Sequence, residues 1–446
     1  MNIKKEIFKK YDIRGLNDEE ITNELAYNLG LAFGFISDGY VIVGHDARLS
    51  SNSLNTNLIK GLLDVGVNVI DIGLVTTPML YYARKLLNKD YAIMITASHL
   101  GKDYNGFKLC DNEGDMYGDK ITNLLDIIQK NNFIKKKGAL NTYDITCDYK
   151  KLMFSKLKLG TRKLKIVVDC GNGTTSYYNP EILKDFGMDI IPLYCESIPS
   201  YPNHDADPAV EANMRDLQKK VIEEKADLGI AYDGDGDRIG IVDENGRLLT
   251  SDEIIIFIWK YICKTNKNKT SLIDVASSYV LKEFLEKKGL NIKYTKLGHS
   301  YIKNQIKENN YDFVGECSGH MYFNDDFYGY DDALYVTLRI LEFLTNNTNN
   351  ISYYLEDILK YYSYHDYIEV NDKGLIIKKV KKYAHEKNYK IINIDGIRIE
   401  YDNGYALVRK SNTSSKIFVK FEGKTKDDLQ KYKDEIFNVI NEYIKI

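Results

Sequence analysis

Residues 91–109 read YAIMITASHLGKDYNGFKL, and this stretch decides how we interpret the rest of the chain. Its apolar start is typical of a buried strand, and the small, hydroxylic and glycine residues that follow are typical of a loop at the strand's end. Ser98 would then sit on a rigid support, beside His99 and near Lys102 and Lys108. Such a serine can act as a nucleophile or carry a phosphate, whose charge of about two needs cationic partners. A serine that only caps a turn fits these residues as well.

Length and composition predict a globular, multidomain protein. A chain of 446 residues is too long for one ordinary core and suggests about three or four domains. The formal net charge of -3 argues against general affinity for nucleic acid. The longest apolar run, residues 254–259, is too short to cross a bilayer. We therefore expect neither nucleic-acid nor membrane partners, and the sequence favours neither a monomer nor a dimer.

The cysteines and the N-terminal residues indicate the reducing cytoplasm. The six cysteines include no C-x-x-C pair, which disfavours both a zinc site and a disulfide framework. The first residues lack the apolar segment of a signal peptide. We therefore expect a cytoplasmic protein with free thiols.

Short apolar runs alternate with amphipathic stretches through most of the chain, as in parallel α/β units. In the first round Thr77 and Pro78 form a good N-cap and N1 pair for one helix. Strands are predicted at 40–43, 68–72 and 91–95, then at 165–168, 188–191 and 228–231, and then at 272–275, 292–295 and 312–314. This weak threefold repeat divides into domains at 1–144, 145–247 and 248–362.

The pattern changes after the Asn-rich residues 345–350, which we interpret as a connector. The elements predicted beyond it are a strand from about 363, a helix, a hairpin turning at 402–404, a strand at 417–421 and a closing helix from Asp427. They predict a smaller α+β domain over 363–446. The fold class is therefore α/β, with three related domains of mixed, mainly parallel sheets and a smaller C-terminal α+β domain.

Each repeat ends in a strand that runs into a polar loop containing glycine or other small residues, at 96–99, 233–238 and 315–320. Open α/β sheets bind ligands beyond the carboxyl ends of their strands. We therefore expect the three loops to converge on one cleft.

The second loop alternates Asp233, Asp235 and Asp237 with glycine, so an extended backbone would place the carboxylates on one side. Carboxylates this close need a cation, and a site with few protein ligands and room for a phosphate oxygen favours Mg²⁺. A calcium EF-hand is excluded because Arg238 occupies its glycine position. The Asp-nucleophile phosphatases are a second competing class with an Asp-x-Asp loop after a strand. They have threonine or valine at the position of Asp237, so this chain departs from their pattern.

Two further loops carry groups that suit a sugar phosphate. Glu316, Ser318 and His320 could grip adjacent sugar hydroxyls, although an ordinary turn is an equal alternative. In the fourth domain a phosphate cradle is predicted at Arg409, Ser411, Asn412 and Thr413, with a solvated loop as the alternative.

Taken together, these loops make the chain resemble an α-D-phosphohexomutase of the phosphomannomutase/phosphoglucomutase branch. The motifs that carry the resemblance are Lys10–Gly15, Gly44–Ser50, Ser98 through Lys108, Asp233–Arg238, Gly298–Ser300, Gly315–His320, Tyr328–Asp332 and Arg409–Thr413. They cover essentially the whole length.

The resemblance implies three related α/β domains and a smaller fourth, closing over a central cleft. It implies a phosphate on Ser98 in the resting enzyme, whose oxygen joins Asp233, Asp235 and Asp237 around Mg²⁺. The positions of Glu316 and Ser318 would hold the sugar hydroxyls, and the loop 409–413 would clamp the phosphate that is not reacting.

The resemblance also assigns roles to the remaining site residues. Arg14, Lys108 and Arg238 would neutralise charge in phosphoryl transfer. His299 and Lys108 are the candidates for the general base. Tyr11, His99 and His320 are expected to contact the substrate.

The implied reaction interconverts hexose 1-phosphate and hexose 6-phosphate, of mannose, glucose or both, with glucose 1,6-bisphosphate as activator. A phosphoglucosamine mutase is one alternative, although the glucosamine branch usually has glutamine where this chain has Cys317. A Mg²⁺-dependent sugar phosphohydrolase and a silent sugar-phosphate-binding protein are others.

Three departures from the family pattern affect the site. Leu100-Gly101-Lys102 replaces a proline-containing run after Ser98, and residues 274–279 lack the expected basic contacts to phosphate. Ser415-Lys416 replaces a proline after the fourth loop. We expect these changes to affect substrate affinity.

Overall fold

The computed structural model describes residues 3–263, 270–411 and 416–441, which form four units, each around one β-sheet. In each of the first three units most strands of the sheet are parallel, and one of them runs into a loop that returns as an antiparallel strand. The predicted fold class and the threefold repeat are therefore confirmed. What the sequence did not predict is the returning strand in each repeat.

The first sheet has six strands in the order β1-β5-β4-β2-β3-β6. Its elements are β1 (Ile13–Leu16), α1 (Asn23–Ile36), β2 (Tyr40–His45), α2 (Ser51–Asp64), β3 (Asn68–Leu74), α3 (Thr77–Leu86), β4 (Tyr91–Ile95), β5 (Tyr104–Cys110), α4 (Asp119–Lys130) and β6 (Leu140–Thr142). Strand β5, expected to be loop, pairs antiparallel with β1 and β4. Gly106 permits this close pairing, because a Cβ there would lie 2.2 Å from the Ile13 carbonyl oxygen.

Helix α3 begins one residue earlier than its sequence suggests. Thr76, not Thr77, is the N-cap, and Thr77 is the first helical residue, with Pro78 in the first turn. The Thr77 hydroxyl instead donates to Asp235 Oδ2 across the boundary to the second unit (2.5 Å). Neither threonine therefore makes a side-chain capping bond, and Thr77 joins the first two units instead.

The second and third sheets have four strands each, in the orders β10-β9-β7-β8 and β12-β11-β13-β14. The second unit contains α5 (Thr146–Lys156), β7 (Lys165–Asp169), α6 (Asn179–Asp185), β8 (Asp189–Leu193), α7 (Glu211–Glu224), β9 (Leu228–Tyr232) and β10 (Ile239–Asp243). The third contains α8 (Ser251–Phe257), β11 (Thr270–Asp274), α9 (Tyr279–Lys287), β12 (Asn291–Thr295), α10 (His299–Asn309), β13 (Phe313–Gly315), β14 (Met321–Phe323) and α11 (Ala333–Thr345). Helix α8 begins with a reciprocal capping box between Thr250 and Glu253.

The fourth sheet is wholly antiparallel, in the order β15-β19-β18-β17-β16. Its unit contains β15 (Tyr362–Glu369), α12 (Lys373–Glu386), β16 (Lys390–Ile392), β17 (Ile397–Tyr401), β18 (Gly404–Lys410), β19 (Lys416–Gly423) and α13 (Lys426–Ile440). The predicted hairpin turns at Asp402 and Asn403, between the paired residues Tyr401 and Gly404.

Most buried side chains of the fourth unit form a cluster of their own, and a smaller apolar cluster joins this unit to the third. One hydrophobic cluster runs through the first three units and includes Met79, Tyr232 and Trp259, whereas the fourth unit packs around its own cluster. The Asn-rich segment 345–350 is not a free connector, because Arg162 donates to carbonyl oxygens within it (2.9–3.4 Å). The segment therefore packs against the second unit.

Candidate active site

Ser98 lies in the turn that follows β4 and is almost completely buried. Its φ of +54° is left-handed, a conformation that costs a non-glycine residue roughly 1–2 kcal/mol. Thr96 Oγ1 accepts a hydrogen bond from the Ser98 N–H (2.8 Å). The Ser98 hydroxyl donates to Asp233 Oδ2 (2.9 Å) and lies 3.2 Å from His99 Nδ1. The turn thus aims this hydroxyl at the aspartate loop.

Arg48 holds the Ser98 loop in place, and our sequence interpretation assigned it no role beyond its motif. Its guanidinium donates to the carbonyl oxygens of Ser98 (2.8 Å), Leu100 (2.5 Å), Gly101 (2.7 Å) and Tyr104 (3.0 Å). Arg48 Nε also donates a hydrogen bond to Asp46 Oδ2 (3.1 Å), which holds the guanidinium in place. Arg48 therefore stiffens a loop that lacks the family's prolines. Its place in the motif Gly44–Ser50 was the available sequence signal.

The aspartate loop is a turn, not the extended backbone expected from its spacing. Gly236 has φ +80°, and Asp233 Oδ1 accepts three backbone hydrogen bonds, from Gly236, Asp237 and Arg238 (3.0–3.1 Å). Oxygens of Asp233, Asp235 and Asp237 nevertheless lie within 4.8 Å of one another. The turn therefore clusters the carboxylates by a different geometry.

Burial opposes the ionisation of this cluster. Burial, reinforced by Asp237 and Asp235, raises the pKa of Asp233 well above its usual value. Against the same burial, Lys108 lowers the pKa of Asp235, to which its Nζ is paired at 2.6 Å. It also pairs with Asp237 and lowers the pKa of that carboxyl to about 2. The two carboxylates in turn raise the pKa of Lys108, so its ammonium stays charged.

The donor set fits Mg²⁺. The Oδ1 atoms of Asp235 and Asp237 are buried and have no hydrogen-bond partner among the described residues. Three carboxylates and the Ser98 hydroxyl offer only oxygen ligands, which Mg²⁺ prefers. Lys108 alone cannot balance three clustered carboxylates, so a divalent cation would complete the charge.

The loop 315–320 pairs directly with the aspartate loop. Arg238 and His320 form a backbone bridge, and the Ile239 N–H donates to the Gly319 carbonyl oxygen (3.2 Å). Arg238 Nε also donates to His320 Nε2 (3.0 Å). The structure thus brings together the loops that the sequence expected to converge.

Glu316 and His299 face the same cleft. Glu316 accepts hydrogen bonds from the Gly298 N–H (2.9 Å) and the Tyr322 hydroxyl (2.8 Å), and burial raises its pKa. Burial and the adjacent Lys303 lower the pKa of His299 well below its usual value. Its Nε2 is buried and has no hydrogen-bond partner in the described part of the chain. The lowered pKa favours the neutral ring, and its Nε2 can accept a proton only if the ring proton sits on Nδ1, which lies 3.8 Å from Asp115 Oδ2 and 3.3 Å from Lys303 Nζ.

Two residues predicted to contact substrate, Tyr11 and His99, and one predicted to neutralise charge, Arg14, come from the first unit. The Tyr11 ring packs on Gly298, where a Cβ would lie 2.4 Å from Tyr11 Cζ. Arg14 pairs with Asp12 (2.6 Å). Burial and the nearby Arg238 lower the pKa of His99, so its ring is neutral beside Ser98.

These elements enclose one cavity of about 320 Å³. The predicted site residues that line it are Tyr11, Arg14, His99, Arg238, His299, Glu316, Ser318, His320, Arg409 and Ser411. Asn412 and Thr413 lie outside the described residues. Tyr367 and Phe418 of the fourth unit also line the cavity, with ring centroids 5.1 Å apart, and no sequence pattern pointed to them. Their place depends on how the fourth sheet meets the other units.

The segment 274–279, which lacks its own basic residues, receives two from the fourth unit. Arg398 donates to the carbonyl oxygens of Val275 (2.9 Å) and Ser277 (2.7 Å), and Lys420 donates to that of Ala276 (2.7 Å). These cations join the third and fourth units through backbone contacts.

The chain belongs to the phosphoglucomutase/phosphomannomutase family. Four models of that family match consecutive parts of it: alpha/beta/alpha domain I at residues 5–135, domain II at 148–246, domain III at 250–362 and the C-terminal domain at 367–439. The enzyme class predicted from the sequence, a mutase and thus an isomerase, is confirmed.

Individual relatives match nearly the whole chain. A phosphomannomutase/phosphoglucomutase of Pseudomonas putida is 36% identical over 435 residues, covering 96% of this chain and 94% of the relative. A phosphoglucomutase of Neisseria gonorrhoeae is 32% identical, with 98% and 97% covered. The crystal structure of a phosphoglucomutase/phosphomannomutase family protein from Burkholderia thailandensis has a TM-score of 0.93 at 32% identity, covering 99% of this chain and 98% of that one.

The helices were also compared with the requirements of a membrane span. Within residues 3–263, 270–411 and 416–441, none combines the length and apolar character needed to cross a bilayer.

Proposed function

We propose that this mutase interconverts the 1-phosphate and 6-phosphate of mannose and glucose through a phosphoserine at Ser98 and a hexose 1,6-bisphosphate. Mg²⁺ held by Ser98, Asp233, Asp235 and Asp237 would be its cofactor, and glucose 1,6-bisphosphate its activator. The work would be divided among domains at 1–144, 145–247, 248–362 and 363–446. We expect the reaction to take place in the cytoplasm.

The observation that carries the proposal is the hydrogen bond from the Ser98 hydroxyl to Asp233 (2.9 Å), next to His99, which lines a cavity formed by all four units. A serine that only capped a turn would have no reason to meet a cluster of three buried carboxylates. The contact also crosses from the first unit to the second, so it depends on the assembled cleft.

The residues divide the work of phosphoryl transfer. Arg409 and Ser411, with Asn412 and Thr413, would hold the phosphate that is not reacting, and Glu316 and Ser318 would orient the sugar hydroxyls. When bound, Mg²⁺ would neutralise charge on the transferred phosphoryl group, as Mg²⁺ generally does in such reactions. Arg14, Lys108 and Arg238 supply further positive charge near Ser98.

The proton of the attacking sugar hydroxyl needs an acceptor. His299 Nε2 suits this role because burial lowers the pKa of the ring and this nitrogen has no partner in the described residues, provided that Nδ1 carries the ring proton. Lys108, the other candidate, is protonated between Asp235 and Asp237. We therefore assign the base to His299 and charge neutralisation to Lys108. The sugar oxygen then takes the phosphoryl group from Ser98, and the reoriented bisphosphate returns its other phosphate.

Sugar preference follows from the loop 315–320. Cys317 stands where the glucosamine branch usually has glutamine, which favours mannose and glucose phosphates over glucosamine phosphate. The names of the Pseudomonas and Neisseria relatives support the same choice.

The test is a coupled assay with mannose 1-phosphate, glucose 1-phosphate and glucosamine 1-phosphate, each with and without glucose 1,6-bisphosphate. Intact-mass analysis should find one phosphate, mapped to Ser98. Ser98→Ala should abolish turnover while leaving the fold intact. Steady release of inorganic phosphate would identify a phosphohydrolase instead, and full activity without phosphate at Ser98 would refute the mechanism.

A further inference from the structure

Cys170 and Cys195 lie in the second unit, at the ends of the neighbouring parallel strands β7 and β8. Their sulfur atoms are 3.1 Å apart. The Cys195 thiol can also donate to the carbonyl oxygens of Val168 (3.2 Å) and Leu193 (3.4 Å). The other four cysteines lie elsewhere: Cys110 on β5, Cys147 in α5, Cys263 after α8 and Cys317 in the loop 315–320.

We propose that Cys170 and Cys195 form a reversible disulfide when the enzyme meets a peroxide, and that this disulfide lowers its turnover. The thiols stand where a disulfide needs them, since closing the bond to about 2.05 Å requires the sulfurs to move by only about 1 Å. The family resemblance assigns no role to either residue.

The exposure of the two sulfurs sets the order of events. Cys195 is half-buried and can be reached by a small oxidant, whereas Cys170 is fully buried. The Cys195 thiol reacts with one peroxide molecule to give a sulfenic acid and one water. The Cys170 sulfur then displaces the hydroxyl from the Cys195 sulfur, and that hydroxyl leaves with the Cys170 proton as a second water. Two thiols and one peroxide thus yield one disulfide and two waters.

Burial raises the pKa of the Cys170 thiol. The protonated thiol is a poor nucleophile towards free oxidant, so Cys170 suits the resolving role better than the role of first attacker. The Cys195 sulfur lies only 3.1 Å away, and this proximity compensates for the low nucleophilicity of the Cys170 thiol.

A short chain of contacts connects the pair to the nucleophile. The backbone carbonyl oxygen of Cys170 accepts a hydrogen bond from the Gly173 N–H (2.8 Å). The next residue, Thr174, donates its N–H to the Gly234 carbonyl oxygen in the aspartate loop (3.0 Å). Gly234 in turn packs so tightly on Ser98 that a Cβ there would lie 2.5 Å from the Ser98 carbonyl oxygen. A shift at Cys170 is therefore passed to the turn that presents the aspartates.

The partner strand end is tied into the same loop. The Asn172 N–H donates to the Tyr194 carbonyl oxygen (2.9 Å), and Asn172 Nδ2 donates to that of Glu196 (2.7 Å). Both acceptors flank Cys195. A displacement of either sulfur would therefore be transmitted to the loop 170–174. The expected effect is a loss of alignment between Ser98 and the aspartates.

The experiment uses the full-length enzyme, reduced and then freed of reductant. It is treated with hydrogen peroxide, alkylated with iodoacetamide and digested for mass spectrometry. We expect one cross-linked peptide pair joining Cys170 to Cys195, with a mass loss of two hydrogens. Turnover should fall by about fivefold or more, within the usual range of coupling between sites, and dithiothreitol should restore it.

Matched variants separate this pair from general oxidation. Cys195→Ser and Cys170→Ala should each retain turnover after peroxide treatment, and either one suffices if the other fails to fold. Cys147→Ser, which removes an exposed thiol, should remain as sensitive as the parent. The proposal is overturned if both thiols are still alkylated after peroxide treatment, if Cys195 stops at a sulfinic acid, or if the disulfide forms without loss of turnover.

Discussion

The hairpin loops of the first three units and the phosphate loop of the fourth unit face one cavity, but they are supported differently. The first three are bonded to each other through Ser98 and Asp233 (2.9 Å), through Thr77 and Asp235 (2.5 Å), and through the backbone bridge at Arg238. One hydrophobic cluster underlies all three units. The groups that would surround a transferred phosphoryl group are therefore joined by direct contacts among the first three units, which we call the first body.

The fourth unit has its own core and meets the third through a small apolar cluster and through polar contacts. These include the bonds of Arg398 to the carbonyl oxygens of Val275 and Ser277 and the ion pair between Lys282 and Glu400. The comparison teaches that the residues assigned to chemistry and those assigned to the distant phosphate lie on units with different supports. Changes in the first body should lower kcat, and changes in the fourth unit should alter substrate use.

Asp235→Asn tests the first body and should have the largest effect on turnover of the predictions made here. It keeps the side-chain volume but removes a charge that pairs with Lys108 and would bind Mg²⁺. Turnover should fall by roughly a hundredfold or more, because an ion clamp on a phosphoryl group is worth several kcal/mol. Steady-state kinetics with and without a chelator provide the measurement. The exposed Asp189→Asn in the same unit is the control and should behave as the parent. Undiminished turnover of the parent in excess chelator would refute a catalytic metal.

Arg409→Ala tests the fourth unit. Both ends of the substrate must occupy the clamp in alternate half-reactions, so use of the 1-phosphate and the 6-phosphate should weaken alike. Losing a charge-assisted contact should lower kcat/KM by about ten- to a hundredfold, and release of bisphosphate should raise the requirement for activator.

The control for Arg409 is Lys410→Ala, which removes an exposed charge from the next residue. It should leave both directions unchanged. If only one direction suffers in Arg409→Ala and the activator requirement stays constant, the idea of a shared clamp is wrong.

Arg48→Lys sharpens the comparison within the first body. Lysine keeps the charge but loses most of the fixed donors to the Ser98 loop. We expect kcat to fall by about tenfold with KM little changed, since misplacement of a nucleophile acts on the chemical step. Rephosphorylation of Ser98 by glucose 1,6-bisphosphate should slow in parallel. A raised KM with unchanged kcat would show that Arg48 acts on binding instead.

Tyr367→Ala should have the smallest effect. Tyr367 is 56% exposed and lines the cavity beside Phe418, where an aromatic face can contact the apolar side of a sugar ring. KM should rise by about two- to fivefold, with kcat nearly constant. Tyr367→Phe, which keeps the ring, should match the parent. If Tyr367→Ala also matches it, the ring takes no part in binding.

Local sequence patterns predicted most of the elements but not the returning strands. The stretch 104–110 carries Asn, Gly and Lys, so its local propensity favours a loop. It forms β5 because it is paired on both sides and Gly106 allows a close approach to Ile13. Pairing energy from distant strands thus outweighed local preference.

The candidate site shows a similar division. Ser98, the aspartates and Glu316 were found because each stands in a polar loop directly after an apolar run. Arg48, Tyr367 and Phe418 were not assigned roles, because their significance depends on which loop or cavity each side chain reaches. Thr77 was assigned to a cap that Thr76 provides, and its true partner, Asp235, lies 158 positions away in the chain.

The sequence by itself determined the repeated α/β order, the fourth domain, the family and the chemical groups of the loops, because periodicity and short motifs are local properties of a chain. Only the tertiary structure decided that the aspartates cluster through a turn, that Lys108 stays charged between Asp235 and Asp237, and that Arg48 fixes the Ser98 loop. It also decided that Cys170 and Cys195 touch. The physical reason is that burial, charge and contact are set by segments far apart in the chain, whose meeting no local pattern records.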